Sequence, residues 1–407
     1  MGADSTAQAD VLVIGGGVIG LSTGWRAAQR GLRVIIADPQ PGKGATHAAA
    51  GMLTPIAEAA YAEREIFALG TESLRRYPAF VAELHAVTGL PTGYRQTGTL
   101  QVAYDGDDLA LLGEMRLLQE SFGVHLSQLT ARECREAEPM LDPSVRGGLL
   151  AVDDGSVDPR LLATALLRAA EAAGARVVRQ RVTEIGYTAG RVNGARLADS
   201  TLVAADWVVL AAGWQSAGIA GLPAGAEPPV RPVKGQILRL RSTAAMAAAG
   251  LPAGLLRRTV RGVVRGSSVY LVPRDSGELV IGATQEELGA DTAVTAGGVW
   301  ELLRDARTLV PGITELELAD AVAGLRPGTP DNTPVIGPSE VPGLVLATGH
   351  FRAGVLLAPV TADSVARYLT SGEPDPIWRA FAPGRFGADS HRRRIPSAAQ
   401  EAGGACR

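Results

Sequence analysis

The apolar run Val11-Leu12-Val13-Ile14 leads straight into Gly15-Gly16-Gly17-Val18-Ile19-Gly20, and Asp38 stands eighteen residues past the last of these glycines. No other stretch constrains the fold as tightly, because this one reads as a whole βαβ unit. A buried strand feeds a tight glycine turn. The turn opens a helix from Val18 to about Arg30, which Gly31 ends. A second strand, Leu32 to Ala37, then delivers an acid. Each part suits a dinucleotide. Gly15 permits the turn, Gly17 lets a pyrophosphate approach the backbone, and Gly20 lets the helix pack closely on the strand. The helix start at Val18 and Ile19 offers unpaired N–H groups and a partial positive charge to phosphates. Asp38 can accept from a ribose hydroxyl, and its charge repels a 2′-phosphate, which argues against NADP. FAD and NAD both stay open from this unit alone.

The next segment, Gly44 to Leu53, is small and nearly uncharged. Such a stretch can lie flat against a large planar ring, which places Thr46, Ala50, Gly51 and Met52 beside it. An NAD protein more often starts a second βαβ repeat here, and none is visible. The plain alternative is a flexible surface loop.

At 407 residues and 46% apolar content, the chain can build two or three structural units around a sizeable core. A formal net charge of −3 gives no electrostatic case for nucleic acid, and 4% aromatic residues leave few stacking platforms. Cys134 and Cys406 are the only cysteines, too few and too far apart for a disulfide framework or a metal site. No apolar run reaches the roughly 18 residues a membrane span needs. A reducing cytoplasm is the simplest expected location.

Further along, helices are expected from Glu58 to about Thr88 and from Asp107 to Phe122. Thr130 and Glu133 make a capping box for a short helix that stops before Pro139. Asp158-Pro159 starts another helix, to about Ala173. Short strands follow at Arg176–Val182, Thr183–Tyr187, Val192–Leu197 and Thr201–Ala204. Trp207–Gly213 reads as a buried strand ending in glycine. Gly218 to Val230 is a Gly/Pro-rich crossing. Beyond it the texture changes to hairpin-forming strands at Gly235–Leu240, Arg261–Arg265, Ser268–Pro273 and Glu278–Ala283, then a helix from about Ala296 to Leu309. Leu344–Gly349 is a further buried strand. His350-Phe351-Arg352-Ala353-Gly354 leads from it into a helix from Val355 and Leu356 to about Leu369, whose start is a second place for an electron-rich group.

Several runs together make the chain resemble the D-amino-acid oxidase and glycine oxidase family of FAD enzymes. They are Val11–Gly20, Ala48–Leu53, Pro232–Gln236, Tyr270–Arg274, Gly282–Thr284, Ala323–Thr329 and Gly349–Pro359, spread from about residue 10 to 370. The first run is shared by many flavoproteins; those around Arg326 and His350 are far more specific. The resemblance implies an α/β fold. A Rossmann-like FAD-binding domain is built from discontinuous segments 9–88, 146–228 and 320–372. An α+β substrate domain with an antiparallel sheet takes 89–145 and 229–319. Residues 1–8 and 386–407 are expected to be disordered tails. Related enzymes with covalent flavin carry a cysteine near the Arg326 run, and none is here, so FAD is expected to be held without a covalent link. The family usually has glutamate where Asp38 stands. Val182 and Gly213 join the implied cofactor contacts, with Arg326, His350, Phe351, Arg352, Gly354, Val355 and Leu356.

An amino acid offers a carboxylate and an amine. Arginine meets a carboxylate with two parallel charge-assisted hydrogen bonds, and tyrosine adds a donor on a rigid ring. By resemblance Arg326 is the carboxylate clamp, Tyr270 its hydroxyl partner, and Arg352 part of the active-site wall with Gly51 and Met52. Hydride transfer from the substrate Cα to flavin N5 needs a neutral amine and no strong protein base, so His350 is expected to shape the flavin site and not to act as a base. The implied reaction is oxidation of glycine or another small amino acid to an imine, with O2 reduced to H2O2. The imine hydrolyses to glyoxylate and ammonia or passes to thiazole synthase for thiamine synthesis. A D-amino-acid oxidase or dehydrogenase, and a flavin-binding structural or sensor protein, are the alternatives. A homo-oligomer stays open.

Overall fold

The computed structural model describes residues 6–58, 64–124, 126–223, 225–248 and 255–386. Two eight-stranded sheets organise it. In the first, strand Thr6–Ile14 lies between Leu202–Leu210 and Val34–Ala37, parallel to both. Arg176–Val178 extends the sheet on one side and Leu344–Thr348 on the other, again in parallel. Val335–Pro338 adds an antiparallel edge, and the hairpin Val182–Thr188 and Arg191–Leu197 joins Leu202–Leu210. Helices Val18–Gln29, Arg64–Thr88, Pro159–Ala172 and Ala358–Ser371 bury a shared face with Val11, Val13, Trp25, Ile36, Tyr77, Phe80 and Leu166. Parallel strands need such cover because both of their faces must be dry.

The second sheet runs Glu317–Gly328, Arg231–Arg241, Glu278–Gly282, Ser267–Pro273, Thr259–Val264, Thr99–Ala103, Gly147–Ala151 and Ser127–Thr130. All its pairings are antiparallel except that of Thr259–Val264 with Thr99–Ala103. Helix Ala296–Leu309 covers it, burying Leu302, Ala306 and Leu309 against Leu238, Val260 and Ile281. Sheet pairing crosses the expected borders at 146 and 320. Both Gly147–Ala151 and most of Glu317–Gly328 were expected with the dinucleotide-binding segments, yet they pair into the second sheet.

Local signals set most elements. The Thr130–Glu133 capping box forms as expected. Asp158 caps its helix through the N–H groups of Arg160 and Leu161. Other expectations need correction. Thr6–Gln8, expected in a tail, pair with Leu202–Ala204; the rest of both tails, 1–5 and 387–407, lies outside the described residues, while Phe386 closes a 3-10 turn. The strands read at Thr201–Ala204 and Trp207–Gly213 are one, Leu202–Leu210. The helix placed at Val355 begins at Ala358, because residues 354–357 are wound into turns ahead of it. The helix read from Glu58 starts at Arg64 and runs through Pro78; residues 59–63 lie outside the described residues.

That long helix is tied to the last turn before Ala358. The Tyr77 hydroxyl donates to the Val355 carbonyl at 2.8 Å, and the Ser73 hydroxyl to the Leu356 carbonyl at 2.6 Å. Tyr77 is fully buried. Tyr77→Phe leaves the Val355 carbonyl only the long 3.4 Å bond from the Ala358 N–H in a dry site, so unfolding in urea should show a loss of about 1 kcal/mol.

Candidate active site

The glycine turn is built as a dinucleotide cradle requires. Gly15 has φ +107°, and a Cβ there would meet the Ala211 carbonyl oxygen at 2.4 Å; a Cβ at Gly20 would meet the Gly15 oxygen at 1.9 Å. Helix Val18–Gln29 therefore starts hard against the strand ends, with Gly17 at its N-cap. The Val18 N–H is taken by the Thr46 hydroxyl at 3.0 Å, while those of Ile19 and Gly20 have no partner inside the helix. Asp38 is engaged from its own side of the turn. One carboxylate oxygen accepts the Gly16 N–H at 2.7 Å and the other the Gln40 N–H at 2.7 Å. An ionised carboxylate offers about four acceptor sites, so two remain for ribose hydroxyls.

Gly213 stands at φ +59° at the start of a 3-10 turn, its carbonyl held by the Thr348 hydroxyl at 3.0 Å. The Val182 side chain is in the core with Ile185 and Leu197, which leaves only its backbone to a ligand. The segment Ala48–Leu53 is not a flexible loop. Met52 and Leu53 pair with Gly155–Ser156, Val157 donates to the Gly51 carbonyl, and Ala50 packs with Met52, Tyr270 and Ala283. Two buried arginines of the second sheet, which the sequence did not single out, grip this segment. Arg239 donates to the Ala49 carbonyl at 3.4 Å, and Arg274 donates to that of Ala50.

Opposite it, Tyr270 and Arg326 come together on the second sheet, on strands that are not neighbours. Both side chains lie flat over glycines. A Cβ at Gly282 would meet the Tyr270 hydroxyl at 2.3 Å, and a Cβ at Gly235 the Arg326 guanidinium at 2.3–2.4 Å. Arg326 Nη1 donates to the carbonyls of Thr284 at 3.1 Å and Lys234 at 3.4 Å. Among the described residues no carboxylate is paired with it. Burial raises the pKa of the Tyr270 hydroxyl, and the neighbouring Arg326 charge opposes that rise.

His350 and Phe351 are buried, and Arg352 is exposed, stacked 5.3 Å from the Phe351 ring centre. Arg352 sits at the rim of a cleft whose walls include Pro55, Glu58, His350 and Leu356. The His350 ring shares a hydrogen bond with the Thr361 hydroxyl at 3.1 Å, and burial pushes its pKa down to about 3. The carbonyls of Val355 and Leu356 face the long helix, while the N–H groups of Gly354, Val355 and Leu356 have no acceptor among the described residues. Three adjacent donors ahead of the helix Ala358–Ser371 fit the electron-rich edge of a flavin ring. The residues present therefore suit FAD at both its ends. No cluster of three or more His, Cys, Asp or Glu among the described residues is placed to hold a metal, and none of their helices is long and apolar enough to cross a membrane.

Known proteins carry the same design. Glycine oxidase from Geobacillus kaustophilus is 34% identical over 393 residues, covering 94% of this chain and 100% of the relative. The crystal structure of glycine oxidase from that organism matches with a TM-score of 0.84 at 32% identity, over 93% of this chain and 99% of that one. The bifunctional protein ThiO/ThiG of Synechocystis sp. is 35% identical over 381 residues, which are 93% of this chain but 54% of the relative; the chain spans about half the length of the bifunctional proteins it matches. The profile of the family described as FAD dependent oxidoreductase matches residues 10–368, from the first strand of the glycine turn to the helix behind His350. The chain belongs to that family, and FAD is its cofactor.

Proposed function

We propose that this enzyme oxidises glycine and other small amino acids, and that Arg326 is the residue that receives the substrate carboxylate. One observation carries the reading: a half-buried guanidinium whose protein partners are carbonyls, lying beside a tyrosine hydroxyl. A cation in that setting favours an anion, and the guanidinium fork matches a carboxylate. The similarity to proteins named glycine oxidase supports the choice of substrate.

In this reading Gly15, Gly17, Gly20 and Asp38 hold the nucleotide end of FAD, and Gly354, Val355 and Leu356 its ring. Bound FAD supplies a hydride acceptor and passes the electrons to O2, giving H2O2. Arg326 and Tyr270 anchor the carboxylate; Gly51, Met52 and Arg352 bound the remaining space. Anchoring fixes the Cα, and orientation of this kind accounts for much of the rate of a reaction that needs no proton transfer by the protein. Burial keeps the His350 ring neutral at neutral pH and a weak base, so its part is to shape the site. The product imine hydrolyses to glyoxylate and ammonia or leaves for thiazole synthesis. That second fate is supported by bifunctional relatives in which a sequence like this one makes up about half of a longer chain.

Arg326→Lys keeps the charge and loses the fork. Glycine binding, read from anaerobic bleaching of the flavin, should weaken by about 1–3 kcal/mol, roughly 5- to 150-fold, with FAD content unchanged. An unaltered constant for glycine removes Arg326 from the site. Flavin reduced by D-alanine and not by glycine selects the D-amino-acid oxidase reading instead.

Acid denaturation should release intact FAD into the supernatant, since no cysteine lies near the Arg326 run. Yellow colour that stays with the precipitate contradicts non-covalent binding.

His350 also leaves a mark on stability. Its folded pKa lies below the unfolded value of 6.5. The unfolded chain therefore takes up the proton first as pH falls. The stability held through neutral His350 is complete above pH 6.5 and drains away between there and pH 3. Urea unfolding between pH 6 and 4 should show a wild-type slope steeper than that of His350→Gln by about 1.4 kcal/mol per pH unit. Parallel slopes would mean that His350 is protonated in the native state.

A further inference from the structure

The substrate face holds a second guanidinium that the proposed clamp does not use. Arg261 on strand Thr259–Val264 lies directly across from Tyr270, so the two side chains leave the sheet on the same side, with Cβ atoms about 5 Å apart. Tyr270 is thus flanked by Gly282 on one strand and Arg261 on the other. Arg261 Nη1 donates to Glu58 Oε1 at 2.5 Å, and the two side chains are only 18% and 23% exposed. Glu58 in turn lines the cleft with His350 and Arg352. Its charge is matched to that of Arg261, the residue across from Tyr270.

Glu58 is held there by design of the chain beneath it. The Ala57 N–H donates to the buried Asp154 carboxyl at 3.3 Å, the buried Gln119 amide donates to the Ile56 carbonyl at 2.9 Å, and the Glu58 N–H donates to the Thr54 carbonyl at 3.0 Å. After burial, which raises the Tyr270 pKa most, Arg326 and Arg261 pull it down and Glu58 pushes it up, so all three charges are felt at the hydroxyl that faces substrate.

We propose that Glu58 is a specificity-determining residue: by neutralising Arg261 beside Tyr270 it limits the site to amino acids with one carboxylate and turns away those with a second acidic group. A single carboxylate is satisfied by Arg326. A second one, carried into the cleft, meets the Glu58 charge and an arginine already occupied. Like charge close by costs affinity, and an engaged guanidinium offers no gain in return. The inference rests on Arg326 being the carboxylate site.

The test uses the FAD-loaded enzyme and ligands that bind without reacting. Propionate and malonate have nearly the same shape and differ in one acidic group. Their dissociation constants are read from the change in flavin absorbance for the wild type, Glu58→Gln, and Glu58→Gln with Arg261→Met. Arg352 is present in all three and drops out of the comparison. In the wild type propionate should bind more tightly than malonate. Glu58→Gln should move the malonate-to-propionate preference at least tenfold toward malonate, and the added Arg261→Met should reverse that shift. An unmoved preference in Glu58→Gln overturns the proposal, as does a shift that survives loss of Arg261, because the effect is then one of space and not of charge. If Arg326→Lys leaves propionate binding untouched, the carboxylate site lies elsewhere and the underlying reading fails first, which separates the two failures.

Discussion

Everything at the site depends on how the two sheets are joined, and buried arginines make the joint. Arg239 and Arg274 rise from the second sheet to the carbonyls of Ala49 and Ala50, consecutive residues of the segment that leads to the short strand Met52–Leu53. Arg160, on the helix that Asp158 caps, reaches the other way, to the His47 carbonyl and to Asp320 on strand Glu317–Gly328. Charges are dear to bury, and these are kept by partners on both sides. Arg239 pairs with Glu278 at 2.5 Å, and Arg274 lies 4.0 Å from Asp158. Burial draws the Arg274 pKa down to about 10, which still leaves it charged at neutral pH. A displacement of either sheet would strand a guanidinium among apolar neighbours, so the relative position of the two halves is set sharply.

With the halves fixed, the second sheet supplies a floor. Gly235 and Gly282 are not turn glycines; they lie inside strands, where glycine ordinarily weakens a sheet. Their missing side chains are what let Arg326 and Tyr270 lie down against the backbone. The guanidinium is then held on a rigid sheet surface and is not carried on a mobile loop. The stability given up at two strand positions is exchanged for the orientation of two donors.

Signals that act within a few residues could be read from the sequence, and those that act across the fold could not. The glycine turn, the Asp158 cap and the Thr130–Glu133 box are local, and each forms where expected. Strand Glu317–Gly328 went unread because it is half-exposed along most of its length and shows no alternation. Its place beside Arg231–Arg241 depends on pairing over some ninety residues, from Val233 to Arg326. The helix behind His350 was read three residues early because Val355, Leu356 and Leu357 are as apolar as the helix itself; they form turns instead, with the carbonyls of Val355 and Leu356 taken by Tyr77 and Ser73 of the long helix. Glu58, Arg239, Arg261 and Arg274 were given no site role from the sequence, since nothing near them in sequence announces their burial or their partners across the fold.

The distribution of charge bears on how the proposed site would oxidise an amine with no protein base. The substrate arrives in water mostly as a zwitterion, with a protonated amine. At the proposed site its carboxylate meets Arg326, whose charge has no acidic partner among the described residues, while the charge of Arg261 is matched by Glu58. A cationic surround disfavours a second cation close by, so the ammonium group loses affinity for its proton on binding. On the proposed reading the arginine that receives one end of the molecule also prepares the other, while His350, held neutral by burial, is not an imidazolium acid that would return the proton.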